Sequence, residues 1–229
     1  MKRRVTALIA AAGQGTRLGA AVPKAFVPLR GRSLLERSVT AMETSQIVDE
    51  IVVVVSPEME ELAQAALQGK RVRFVHGGAE RADSIWEGLK TIADDDAVVL
   101  IHDAARALTP PGMIARVARA VLDGNQAVVP VMPVADTIKV VDGERVTATP
   151  DRASLRAVQT PQAFRLPALR QANLDYWAEQ PEFTATDDAS LMEWHGERVA
   201  TVPGDTLAFK ITTPIDLTLA HALTEETHD

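Results

Sequence analysis

Ile51-Val52-Val53-Val54-Val55 constrains this chain more than any other stretch. Five β-branched residues in a row favour a strand over a helix. Successive side chains of a strand point to opposite faces, so an unbroken apolar run must be buried on both. A sheet flanked by helices on both faces supplies that burial. The neighbouring segments agree. Val5–Ala11 and Ala97–Ile101 read as buried strands, and Val72–Val75 and Ala127–Val131 as shorter ones. Helical patterns lie between them. Ser33–Met42 has Ser33 as N-cap and Glu36 closing a capping box. Pro57 opens a helix to about Leu67, Glu80–Ile92 forms another, and Pro110-Pro111 start a third that runs to Leu122. This alternation predicts an α/β fold: a doubly wound, mostly parallel, Rossmann-like sheet.

The pattern changes after Pro133. Asp136–Val141, a turn at Asp142-Gly143 and Arg145–Thr149 read as a β-hairpin. It is polar and carries little apolar mass. Two strands alone are barely stable, so the hairpin must pack on the parent domain or on a second copy. Residues 134–158 thus read as an arm inserted into one domain spanning 1–229. Further helices are expected at Leu166–Trp177, Asp188–Trp194 and Pro214–Leu223, and a strand at Arg198–Val202. Thr206–Phe209 also reads as strand-like.

Composition excludes several classes of function. The 229 residues contain no cysteine, which removes a disulfide scaffold, a thiolate metal site and a cysteine nucleophile. A formal net charge of −7 argues against a nucleic-acid partner. No apolar run approaches the roughly 18 residues of a membrane span. Lys2-Arg3-Arg4 precedes an apolar stretch, but that stretch runs into Gly13-Gln14-Gly15-Thr16-Arg17 rather than a small-residue cleavage site. A cytoplasmic protein is expected.

The same glycine segment carries the strongest chemical signal. Ala11-Ala12-Gly13-Gln14-Gly15-Thr16-Arg17 follows the first strand directly. Close-set glycines let the backbone approach a ligand and turn its N–H groups toward an anion. Arg17 and Lys24 follow, and no acid precedes Glu36. In an acidic chain this is a local positive field, and polyphosphate is its natural ligand. A Walker A loop needs a Gly-Lys-Ser/Thr that is absent here. A dinucleotide fingerprint needs a third glycine where Leu18 stands and an acid where Ser56 stands. Two further clusters sit at predicted strand ends. In His102-Asp103-Ala104-Ala105-Arg106, Asp103 is placed either to hold a hydroxyl or a metal, or simply to pair with Arg106. In Gly77-Gly78-Ala79-Glu80-Arg81-Ala82-Asp83-Ser84, Ser84 either reaches a base or caps the helix. His195 and His221 lack partners at metal-ligand spacing and read as structural or surface groups.

These segments, taken in order, resemble the 2-C-methyl-D-erythritol 4-phosphate cytidylyltransferases. The matching set is Ala11-Ala12-Gly13-x-Gly15-x-Arg17, Pro23-Lys24, Glu80-Arg81-Ala82-Asp83-Ser84, His102 to Arg106, Asp136-Thr137-Ile138-Lys139, Gln159-Thr160-Pro161-Gln162, Thr186-Asp187-Asp188-Ala189-Ser190 and Phe209-Lys210-Ile211-Thr212. It spans almost the whole chain. Ala79, Ala107 and Ala208 depart from residues the family often has. The resemblance implies a nucleotidyltransferase sheet and transfer of a cytidylyl group from CTP to a polyol phosphate. It implies Arg17, Lys24, Arg152 and Lys210 as catalytic residues. Around the nucleotide it implies Ala11, Ala12, Gly13, Gly15, Gly78, Ser84 and Ala104. Around the second substrate it implies Asp103, Arg106, Thr137 and Thr186. Mg²⁺ would be held mainly by the CTP phosphates, with no dedicated protein metal site. The 134–158 arm would join two copies as a homodimer. A ribitol phosphate cytidylyltransferase and a non-catalytic nucleotide-binding domain share the glycine loop and stay open as alternatives.

Overall fold

A computed structural model describes residues 3–13, 15, 18–20 and 22–224. Its backbone alternates as the sequence predicts. Strand β1 (Val5–Ala10) leads through a short antiparallel pair, β2 (Pro28–Leu29) and β3 (Arg32–Ser33), into helix α1 (Leu34–Thr44). Ser33 caps α1 by accepting the Glu36 N–H at 3.0 Å, while the Glu36 carboxylate lies 3.7 Å from Arg32. Then follow β4 (Glu50–Val55), α2 (Glu60–Ala66), β5 (Arg73–His76), α3 (Arg81–Lys90), β6 (Val98–Asp103), α4 (Pro111–Leu122) and β7 (Ala127–Pro133). Strands β5, β4, β1 and β6 lie side by side and parallel. Helices α1, α2 and α4 cover one face, packing Leu35, Val39, Ala63 and Val117 against Ala7, Ile9, Val53 and Leu100. Helix α3 covers the other, packing Ile85 and Leu89 against Leu8, Val54 and Ile101. Val53 and Val54 face opposite layers and both are fully buried, the double burial that their run demands.

The arm is smaller than the sequence suggests. Its paired strands are only β8 (Val140–Asp142) and β9 (Arg145–Ala148), joined by Gly143 at φ +56°. Residues 136–139 run up to them without pairing. Beyond the arm come β10 (Arg156–Val158), β11 (Gln162–Arg165), α5 (Leu166–Glu179), α6 (Asp188–Trp194), β12 (Val199–Pro203) and α7 (Pro214–Leu223). The sequence pattern does not predict two of these strands. β11 inserts between β6 and β7 and runs antiparallel to both, and β10 pairs antiparallel with the far end of β7. β12 pairs parallel with β7. The strand-like reading of Thr206–Phe209 is corrected: Thr206–Ala208 is a 3₁₀ turn, because the Asp205 carboxylate accepts the Leu207 N–H at 2.9 Å and tightens the chain there.

Candidate active site

β1, β5 and β6 all end on one side of the sheet, the side where open α/β sheets bind ligands. A cavity of about 230 Å³ lies there. Residues 10–13 form one wall, leaving β1 toward the glycine loop. Gly78 to Arg81 and Ser84 form a second, between β5 and α3. Asp103, Ala104 and Ala105 form the floor after β6, and Lys24 and Lys210 complete the rim. Nine predicted site residues therefore converge: Ala11, Ala12, Gly13, Lys24, Gly78, Ser84, Asp103, Ala104 and Lys210.

Two glycines of the site, Gly15 and Gly78, leave no room for a side chain. Gly15 has φ +65°, and a Cβ there would run into the Lys24 side chain. A Cβ on Gly78 would run into Asp83. Lys24 itself opens a 3₁₀ turn, Lys24–Phe26, set by the extended Pro23 before it. Ser84 is buried in the first turn of α3 and donates to the Gly78 carbonyl at 3.3 Å, so it ties down the glycine turn. The Glu80 side chain caps α3 in a capping box with Asp83.

Asp103 is the electrostatic centre. Its carboxylate lies 2.8 Å from Lys210 Nζ, 3.8 Å from Arg81 and 3.9 Å from Arg106. Burial alone would raise its pKa, but Lys210, Arg81 and Arg106 outweigh that and hold it at about 2. The group is thus a fixed anion that gathers three cations. Arg106 also donates to the Ala208 carbonyl at 2.8 Å, and burial lowers its pKa more than Asp103 raises it. Arg106 therefore braces the segment that carries Lys210.

Arg81 and Asp188 belong to the motifs, but the sequence alone assigns them no role. The Arg81 guanidinium reaches Asp188 at 2.9 Å, and the negative charge of Asp188 raises its pKa. Burial pushes the Asp188 carboxyl upward, against the pull of Arg81. This pair links the cavity to α6. Asp187 caps that helix, and Gln162 donates to Asp187 at 2.7 Å. The signal for Arg81 is its place soon after a glycine turn. That for Asp188 is an acid inside a helix start, which needs a cation if buried.

Three predicted residues lie elsewhere in this chain. Thr186 is exposed before α6, its N–H donating to Ser190 Oγ at 3.0 Å. Thr137 and Arg152 line a separate, open hollow of about 840 Å³ at the base of the arm, together with Arg156. Arg152 donates to the Ala135 carbonyl there at 2.6 Å. Arg17 falls outside the described residues. Of the histidines read as structural, His195 lies 2.9 Å from Asp175. No cluster of three His, Cys, Asp or Glu side chains able to cage a metal occurs among the described residues, and no helix among them is long and apolar enough to cross a membrane.

A glycine-rich turn, two lysines and a buried, ion-paired carboxylate at the strand ends of a doubly wound sheet fit an α/β nucleotidyltransferase. The comparisons narrow this further. The family model described as 2-C-methyl-D-erythritol 4-phosphate cytidylyltransferase matches residues 5–226. A curated protein of that name from Corynebacterium diphtheriae is 64% identical, covering 99% of this chain and 96% of its own length. One from Rhodococcus jostii is 53% identical over 98% of this chain and 97% of its own. A crystal structure of the Thermus thermophilus enzyme of that name superposes with a TM-score of 0.81 at 37% identity, covering 98% of this chain and 100% of that one. The chain belongs to the 2-C-methyl-D-erythritol 4-phosphate cytidylyltransferase family.

Proposed function

We propose that this chain transfers the cytidylyl group of CTP to 2-C-methyl-D-erythritol 4-phosphate and releases diphosphate, a step of isoprenoid precursor synthesis. Membership of the family supports the substrates. The observation that carries the chemistry is the meeting of Lys24, Lys210 and the glycine-loop backbone in one cavity whose anion, Asp103, is already paired with cations.

A phosphate oxygen of the polyol attacks the α-phosphorus of CTP, and the bond to the β-phosphate oxygen breaks in line. The attacking oxygen is already ionised, so no strong general base is required. Catalysis is then positioning and stabilisation of charge. Lys24 faces the charge growing on the α-phosphate and on the leaving group, and family membership supports the same role for Arg17. The base sits between residues 11–13 and the Gly78–Ser84 wall, where backbone groups and Ser84 read its edge. Lys210 receives the polyol phosphate, and Asp103 and Arg106 hold Lys210 in place. Family membership alone supports a role at the second substrate for Thr186, which is exposed just before α6.

Mg²⁺ fits this chain as an ion carried on the nucleotide. The described residues of the cavity offer no cage of side-chain ligands, and Mg²⁺ often binds through substrate phosphates with few protein carboxylates. When bound it neutralises phosphate charge. No described residue of the cavity needs to leave its ion pair for it.

We infer further that the arm, residues 134–158, joins two copies and brings Arg152 and Thr137 to the partner's cavity. In their own chain these residues lie in the arm hollow, away from Lys24. The overall reading is tested by diphosphate release with four nucleoside triphosphates and a panel of polyol phosphates. CTP with methylerythritol phosphate should be the preferred pair. Preferred turnover of ribitol phosphate, or none of any pair, overturns it.

A further inference from the structure

The strand that ends at Asp103 carries a histidine with no part in the chemistry above. His102 is fully buried in β6, in register with Ile9 of β1. Its Nδ1 lies 3.0 Å from Thr160 Oγ1. That same oxygen accepts the backbone N–H of Asp103 at 3.1 Å. Asp103 Oδ2 in turn lies 2.8 Å from Lys210 Nζ. One hydroxyl therefore joins a buried imidazole to the residue on which the cavity's cations converge.

The direction of the hydrogens follows from counting. A hydroxyl has one hydrogen to give and two lone pairs. Thr160 uses one lone pair for Asp103, and His102 Nδ1 is the acceptor within reach of its hydrogen among the described residues. In the arrangement inferred here Nδ1 is unprotonated and accepts the Thr160 hydrogen, with the ring hydrogen on Nε2. Burial favours this neutral form and lowers the imidazole pKa to about 4, although Asp103 pulls it the other way. Nε2 finds no hydrogen-bond partner among the described residues. A buried polar ring is a demanding choice for a central strand, where an apolar side chain needs no partner. A local rule broken beside a functional site is the kind of exception that function imposes.

We propose that His102 is a positioning residue: its Nδ1 fixes the Thr160 hydroxyl, which holds the Asp103 main chain where its carboxylate meets Lys210. The catalytic consequence rests on the reading of Lys210 as the receiver of the polyol phosphate. The hydrogen-bond relay itself does not.

Two kinds of measurement test it separately. In intact protein labelled with ¹⁵N-histidine at neutral pH, His102 should show a protonated Nε2 and an unprotonated, hydrogen-bonded Nδ1. Thr160→Val keeps the side-chain shape; it should shift the Nδ1 resonance and speed hydrogen exchange of the Asp103 amide. A proton on Nδ1, or unchanged exchange in Thr160→Val, overturns the relay whatever the substrate. In turnover, His102→Leu should raise KM for the polyol phosphate about five- to tenfold, with KM for CTP within twofold, the size of one lost hydrogen bond. His102→Asn, whose Oδ1 can stand near the Nδ1 position, should recover most of that loss. An unchanged polyol-phosphate KM in His102→Leu, an equal rise in both KM values, or no rescue by Asn overturns the positioning role. Should His102→Leu not fold, Thr160→Val carries the same KM comparison. A wild-type protein that turns over no polyol phosphate defeats the functional reading, while the tautomer and exchange results still decide the relay.

Discussion

Asp103 and Val141 stand in opposite surroundings. Asp103 is a charged group sunk at the end of a central strand and surrounded by Lys210, Arg81 and Arg106. Val141 is an apolar group 61% exposed on a two-stranded arm, with Val140 at 47% and Val146 at 59% beside it. In the body, the buried charges Asp103 and Asp188 have found counter-charges within the chain. In the arm, apolar side chains have found no cover within the chain. The body also leaves apolar side chains exposed, Ile215 of α7 at 79%, but it has a buried core, whereas residues 135–149 are exposed throughout. In the dimer proposed above, a two-fold axis would let identical arms cover one another.

The comparison can be broken first at Lys24, the cavity residue that the proposed mechanism sets against the reacting phosphates. Lys24→Ala should lower kcat by about 10²–10³, the usual loss for one preorganised charge donor. Its thermal unfolding should match wild type, since the side chain sits at the cavity rim rather than in the core. A rate within threefold of wild type would remove Lys24 from the mechanism.

Next comes Lys210. Lys210→Ala should weaken binding of the polyol phosphate by about 10- to 150-fold, the range for one charge-assisted hydrogen bond. Calorimetry with CTP alone should look near normal. Equal weakening of both ligands would place Lys210 with the nucleotide.

The arm is sharpened by mixing Lys24→Ala with Arg152→Ala. If the arm serves its partner, one site of a mixed dimer carries both lesions and the other carries none. With random exchange about half the dimers are mixed, so about a quarter of all sites should recover. Activity that stays at the level of the separate mutants, with exchange demonstrated, would confine Arg152 to its own chain.

The smallest effect concerns acid. The native carboxyl of Asp103 sits at about 2, below its unfolded value of 3.8. Its contribution is therefore complete above about pH 4 and is lost as pH falls toward 2. Melting temperature against pH should fall less steeply through that window in Asp103→Asn than in wild type. Parallel curves would mean that the three cations do not stabilise the folded anion.

Much of the body is legible in the sequence because its strands are written in β-branched runs and its turns in glycine. Val53 and Val54 need no tertiary knowledge to be assigned. β11 is not legible. It is four residues, Gln162-Ala163-Phe164-Arg165, polar at both ends, and its central position comes from pairing with β6 and β7 rather than from its own pattern. The site divides in the same way. The glycine loop and Lys24 are close in sequence, so their joint meaning can be read. The setting of Asp103 cannot, because Lys210 and Arg81 reach it from distant segments. The Arg81–Asp188 pair spans 107 residues and is invisible for the same reason.

The place of β11 also orders the birth of the molecule. β6 and β7 are neighbours in sequence but not in the sheet, since residues 162–165 lie between them. A chain emerging from its N-terminus completes β1, β4, β5 and β6 while one flank of β6 still has nothing to pair with. The arm emerges before the strand that fills that gap. Each nascent chain therefore carries an unclosed sheet edge together with an exposed hairpin that bears Val140, Val141 and Val146. The open edge is sticky to other chains until β11 slots in, and in the proposed dimer the arm stays uncovered until a second copy arrives. An element of four residues thus acts as the keystone of the sheet, and an unpaired edge of this kind invites association with other chains until it is filled.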